Sequence, residues 1–510
     1  MNRTCNVLAA ACCAIIVVVS SSSTVFAKLK LSGIFSDHMV LQRDKPVTVW
    51  GWADEDKPVR VSFAGQMLTV EPGKFGAWSV TLEPLQASVA GRDLVVVSGT
   101  DSMTVRDVVV GDVWHASGQS NMDMKVGAVA TSLPETLQHI LEAINPGIRF
   151  RRISESESAT PQPDLSVVAG WMVSSPNTVT GFSAAAYYFA RRLNAVVGVP
   201  IGIIDSSRGG TPIEPFIPRV AFQAHPTLQR ELQLGDEGDL LGIWKLPGGV
   251  RARDSNWLPG RLFHSRLAPI DRFAVRGAIW YQGESNCGDG EDPRDYQYKM
   301  KALISGWRSA MGNADLSFYF VQLPGSGARE GWPYLREQQR LCADVSHAGM
   351  VVTIDLLNND IHPPNKIDVG ERLAAWALAK DYGRDVPFSG PLFERVEFSN
   401  DRAVVHFRYA DNGLMVAVKS GTSQPKRTSE TTLSHFELAD KSGQWFPAQA
   451  EISGRTLVVR SNNVVHPAAV RYGYEVDPQH CHLYNTEGLP ASPFCSDDAL
   501  LTYKPELPVE

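Results

Sequence analysis

Four short clusters in this chain hold residue types able to attack and cleave an acyl bond. Ser120 stands in Ser117-Gly118-Gln119-Ser120-Asn121-Met122, directly after an apolar run. A serine there, two residues beyond a glycine, can lift its hydroxyl above a sheet. Its own backbone N–H can help hold a developing oxyanion. The pattern is not the Gly-x-Ser-x-Gly elbow, and the same serine would also suit a plain helix N-cap. Ser206-Ser207-Arg208-Gly209-Gly210-Thr211-Pro212 is the second cluster. Paired glycines let backbone N–H groups approach a ligand closely, although many such pairs are only turns. Trp280-Tyr281-Gln282-Gly283-Glu284-Ser285-Asn286 brings together an amide donor, a carboxylate and two aromatic rings, at least one of which should pack the core. Asp360-Ile361-His362-Pro363-Pro364 supplies a general base, because a hydroxyl nucleophile needs one that titrates near neutrality. A triad also needs a carboxylate to fix the tautomer of His362; Asp360 is close in sequence, though neighbours on a loop need not meet in space. His115 is the rival histidine, but its place beside Ala116 suits a core role better.

The elements that must position these clusters change character along the chain. From Lys28 to about Arg106, short alternating segments such as Val47–Trp50 and Trp78–Leu82 lie between Gly, Pro and Asp, as in a small β-sandwich. The middle alternates apolar strands (Val108–Val110 into Val113–Ala116, Ile201–Ile204, Ala278–Tyr281, Phe318–Val321, Val351–Ile354) with amphipathic helices. The helices are expected near Ala184–Ala195, Tyr296–Met311, Tyr334–Val345 and Val369–Lys380, the last with a capping box of Asp368 and Glu371. That alternation predicts an α/β fold with a parallel sheet covered on both faces. All four clusters then fall at strand ends or in loops, where open parallel sheets bind ligands. From about Phe393 the alternating pattern returns, and Gln223–Asp254 reads as a polar insertion. The expected division is 1–27, 28–106 (β-sandwich), 107–386 (catalytic α/β domain) and 387–510 (β-rich).

The whole chain has 510 residues, 44% hydrophobic and 20% charged, which suits two or three domains. A net charge of -7 and the lack of a long basic run speak against nucleic acid as a partner. Arg3, the apolar Val7–Val19 and Val25-Phe26-Ala27 read as a signal peptide over residues 1–27, so a secreted or periplasmic protein is expected. The alternative is an N-terminal anchor, but the run is shorter than the ~20 apolar residues that span a bilayer. No membrane span is expected once the signal is removed. Of seven cysteines, Cys481 and Cys495 flank a Pro- and Gly-containing loop, as a disulfide or as two free thiols. No His/Cys spacing suggests a zinc site, and no metal or cofactor is expected.

Taken together, the clusters resemble the sialate O-acetylesterase family within the SGNH hydrolases. The matching stretches are Leu31–Gln42, Gly118–Met122, Trp280–Asn286, Asp360–Pro363 and Leu483–Phe494. The resemblance implies an SGNH-type parallel sheet, an O-acetylated carbohydrate as substrate, Ser120 as nucleophile and His362 as base. It also implies an oxyanion hole made by the N–H of Ser120, Gly210 (or Gly209) and Gln282. In many SGNH enzymes an Asp lies three residues before the histidine, a position held here by Asn359, so Asp360 is the favoured acid and Glu284 the second choice. Family members usually carry Trp where this chain has Arg208, whose expected role is to contact an acidic sugar, to replace packing, or to pair with a carboxylate such as Glu214. The implied substrate is a sialic acid O-acetyl ester. The alternatives are acetylated xylan or another polysaccharide, a lipase-like SGNH activity, and a non-catalytic carbohydrate-binding protein.

Overall fold

One strand of 18 residues, β1 (Asp101–Gly118), serves two sheet regions at once. Its first half pairs antiparallel with Ser88–Ser98. Its second half is wholly buried and pairs parallel on both sides, as its run of Val, Trp and Ala residues predicts. The computed structural model describes residues 28–166, 169–229, 232–233, 257–287, 293–326, 330–356, 360–429 and 432–497. The expected signal peptide over 1–27, Asn359 and most of the insertion Gln223–Asp254 lie outside them.

The N-terminal region has two layers, antiparallel except where Val40–Gln42 runs parallel to β1. Lys30–Leu31, Val47–Trp52 and Ala77–Leu82 form one. Val59–Phe63, Gln66–Val70 and Ser88–Ser98 join β1 in the other. Val49, Trp50, Val61, Leu94 and Val96 are among the side chains buried with them. The boundary expected after residue 106 falls inside β1, so the two regions share a strand.

Beyond β1 come β2 (Asn145–Arg152), β3 (Ile201–Asp205), β4 (Gly277–Tyr281), β5 (Ser317–Val321) and β6 (Ala348–Val351). They lie in the order β2-β3-β1-β4-β5-β6, and every adjacent pair is parallel. The short strand Met172–Ser174 closes the β2 edge antiparallel. The chain passes from β1 to the outer β2, returns through β3 beside β1 and then crosses to β4 on the other side, so the carboxyl end of β1 lies at the topological switch point.

Helices cover both faces: α1 (Ser120–Asp123), α2 (Ala184–Val197), α3 (Tyr296–Ala310), α4 (Trp332–Leu341) and α5 (Lys366–Lys380) are the ones that matter here. Strand alternation sorts them. Tyr319 stacks on Trp376 of α5 (6.0 Å), whereas its neighbour Phe318 meets Trp307 of α3 (5.9 Å) edge-on. Helix α5 begins three residues earlier than expected. Its N-cap is Asn365, whose Oδ1 accepts from Asp368 N (3.1 Å), so Asp368 is the capped residue and not the cap.

After residue 392 a seven-stranded antiparallel sheet follows, from Leu392–Ser399 at one edge to Phe494–Cys495 at the other. Cys481 and Cys495 are both buried free thiols, not a disulfide. They face different apolar clusters, Cys481 in the main core and Cys495 against Tyr474. Among the described residues no helix is long and apolar enough to cross a membrane.

Candidate active site

The end of β1 forces a sharp exit. Gly118 has φ +134°, and a Cβ there would lie 2.1 Å from the carbonyl oxygen of Tyr281 on β4. Only glycine allows that close approach. Gln119 N then donates to the same carbonyl (3.0 Å), and α1 starts at Ser120 with Gln119 as N-cap. Ser120 therefore opens the helix rather than capping it. Its side chain is half-buried, while Asn121 and Met122 behind it are fully buried.

His362 reaches the hydroxyl from the segment between β6 and α5. Its Nε2 is 2.8 Å from Ser120 Oγ, although the two residues are 242 positions apart. Asp360 Oδ1 lies 3.3 Å from Nδ1 of the same ring and accepts the His362 backbone N–H at 3.1 Å. The Asp360 side chain is 64% exposed, so water screens its charge. Glu284 is buried, with Oε1 accepting from Asn121 Nδ2. Burial raises its pKa, opposed by that hydrogen bond and by the charges of His362 and Lys366.

The Gly-Gly loop borders the serine. A Cβ on Gly209 would sit 3.8 Å from Ser120 Cβ, whereas Gly210, at φ +69°, faces open space. Arg208 N donates to Gly118 O (2.9 Å), which ties this loop to the end of β1. Two arginines hold it from below. Arg266 Nη1 donates to the carbonyls of Ser206 (3.0 Å) and Ser207 (2.8 Å), and Arg152 Nη2 to Ser207 O (2.7 Å). Arg208 itself is half-buried. Glu214, its expected partner, is instead engaged by Asn286 Nδ2 (3.0 Å) and Lys299 Nζ (2.6 Å).

Gln282 departs from expectation. It is completely buried, and its amide nitrogen is directed at Gln119 Oε1 (3.0 Å), Asn286 Oδ1 (2.7 Å) and Thr211 O (3.3 Å). The Tyr296 hydroxyl donates to its oxygen (2.7 Å). With its N–H groups directed at these acceptors, Gln282 braces the N-cap of α1 and the Gly-Gly loop rather than facing an oxyanion. Trp280 and Tyr281 are both core residues. So is His115, which stacks on Trp307 (5.0 Å), meets Ser206 Oγ (2.7 Å) and has its pKa lowered to about 4 by burial.

Sequence reasoning missed the roles of Arg152, Arg266, Asn121 and Lys366. Asn121 stood in plain view beside Ser120. Lys366 carried a fainter signal, a cation in the first turn of a helix, where the helix dipole disfavours it.

A family model described as carbohydrate esterase, sialic acid-specific acetylesterase, matches residues 248–379. A curated sialate O-acetylesterase from Rattus norvegicus is 28% identical, covering 91% of this chain and 94% of its own. The one from Homo sapiens is 27% identical, covering 91% and 92%. A solved carbohydrate acetylesterase from Xanthomonas citri superposes with a TM-score of 0.80 at 33% identity, over 92% of this chain and 99% of that one.

Proposed function

Since this chain belongs to the sialate O-acetylesterase family of carbohydrate esterases, and so removes O-acetyl groups from carbohydrates, we propose that it is an SGNH-type serine esterase with Ser120 as nucleophile and His362 as base. The observation that carries this reading is the 2.8 Å contact between the Ser120 hydroxyl and His362 Nε2 at the sheet's switch point. Ser120 Oγ attacks the acetyl carbonyl as Nε2 takes its proton. The backbone N–H groups of Ser120 and of the Gly209–Gly210 turn receive the oxyanion. As the intermediate collapses, the bond to the sugar oxygen breaks and His362 returns the proton to it. Water, deprotonated by His362, then releases acetate from the acetyl-serine. Asp360 orients His362, and Glu284 holds Asn121. The pairing of Ser120 with His362 disfavours a purely sugar-binding protein.

The substrate we propose is an O-acetylated acidic sugar, a sialic acid first. The named relatives support this, and so does Arg208 beside Gly209, since a guanidinium can grip a carboxylate with two parallel hydrogen bonds. Acetate release is measured on an acetylated sialic acid, an acetylated uronic acid and acetylated xylan, with native protein and Arg208→Ala. The expected result is a preference for the acidic sugars, and an Arg208→Ala KM raised about tenfold on them alone. Equal effects on neutral and acidic sugars would remove Arg208 from substrate choice. Acetate release from none of them would sink the catalytic reading.

A further inference from the structure

A single ammonium group joins the turn that carries Ser120 to the loop that carries His362. Lys366, at the start of α5, is fully buried. Its Nζ donates to Asn121 Oδ1 and, at 2.7 Å, to the carbonyl of Pro363. Asn121 directly follows Ser120, and Pro363 directly follows His362, so each end of the bridge is one residue from the reacting pair. Asn121 completes the frame by donating from Nδ2 to Ile361 O (2.7 Å) and to Glu284 Oε1. The ammonium also lies 5.3 Å from the centre of the Tyr281 ring. Burying a cation is costly, and the helix dipole adds to that cost at this end. An apolar side chain would avoid both costs but would lose the two hydrogen bonds.

We infer that Lys366 is a positioning residue that locks the Ser120 turn to the His362 loop and so sets the hydroxyl–imidazole contact. The inference rests on the reading of Ser120 and His362 as the catalytic pair. Lys366 makes and breaks no bond itself and acts through Asn121 and the Pro363 carbonyl. The charged and titratable groups around the ammonium are Glu284 from the loop after β4, Asp360 and His362 from its own loop, and the Tyr281 phenol from β4. Burial lowers the lysine pKa to about 7, against the pull of Glu284 and Asp360. Glu284 interacts with both His362 and Lys366.

The test compares Lys366→Met and Lys366→Arg, with Ser120→Ala as reference, in nitrophenyl acetate hydrolysis across the pH range. Lys366→Met is expected to lower kcat on the order of 100-fold, the loss that follows a misplacement of about 1 Å, with KM within about twofold. Lys366→Arg, which keeps the charge and the donors, should retain at least about tenfold more activity than Lys366→Met. Near-native kcat in Lys366→Met, a KM that rises in step with the loss, or no difference between the two variants overturns the proposal. An active Ser120→Ala would instead overturn the nucleophile, so the two failures are separable. If Lys366→Met does not fold, Asn121→Ser breaks the same bridge from the other end. It must then show the same loss of kcat, and a native kcat there overturns the proposal.

Discussion

Two carboxylates compete for the imidazole of His362, and their surroundings divide the work. Asp360 Oδ1 is 3.3 Å from Nδ1 but stands largely in water, while Glu284 is buried and spends Oε1 on Asn121. In the proposed mechanism ring orientation falls to Asp360. Because solvent screens an exposed charge, Asp360→Asn should lower kcat by about 10- to 100-fold, less than the ~10⁴-fold of a buried triad aspartate. Glu284→Gln keeps the shape and an acceptor for Asn121, and should cost less than about tenfold. Steady-state kcat of both variants on one acetyl ester decides between them, and the reverse ranking would move ring orientation to Glu284. At this scale the sequence singled out Ser120 and His362, which the fold brings together, and missed the groups that hold them. Ser120 and His362 stood out because a hydroxyl beside a glycine turn and a histidine in a polar loop suggest chemistry by type alone. Gln282 was misread because its acceptors are set by folding, one of them on Gln119, 163 positions away. The bond from Lys366 to Asn121, 245 positions apart, could not be read in one dimension at all.

At the scale of elements, periodicity located the strands and helices well, and local competition moved their ends. Asn365 took the N-cap of α5 because its side chain both accepts from Asp368 N and donates to Asp368 Oδ2 (2.6 Å), an exchange the Asp368–Glu371 spacing does not reveal. The two thiols that spacing offered as a disulfide lie in separate clusters because the strand Phe494–Cys495 turns its cysteine toward Tyr474. The element on which the site depends most is the exit from β1. Gly118→Ala places a methyl group against the Tyr281 carbonyl at a φ that L-residues rarely adopt. It should destabilise the protein by about 3 kcal/mol or more and lower activity, as read from urea midpoints and acetate release. Native stability and rate in that variant would mean that the exit is less constrained than its geometry implies.

The molecule as a whole makes the site from parts that lie far apart in the chain. The serine follows β1, the Gly-Gly turn follows β3, Gln282 and Glu284 follow β4, and the histidine precedes α5. The parallel sheet brings these ends to one rim. The C-terminal β region secures the far side, through Lys419 to Asp368 (2.7 Å) and the Tyr484 hydroxyl to Asp355 (3.3 Å), close to the helix that carries Lys366. The fold class was legible because alternating β and α patterns permit few architectures. The sharing of β1 between two sheets was not, since a continuous apolar run looks the same whichever neighbours it pairs with. The central claim is that this assembly exists to make the Ser120 hydroxyl a nucleophile. The most direct test is the rate of acetate release by Ser120→Ala, measured beside the native protein with its thermal unfolding followed in parallel. The account predicts a native-like unfolding transition with kcat lowered at least about 10³-fold, the residue coming from binding and oxyanion donors alone. A folded Ser120→Ala that keeps most of its kcat would contradict it.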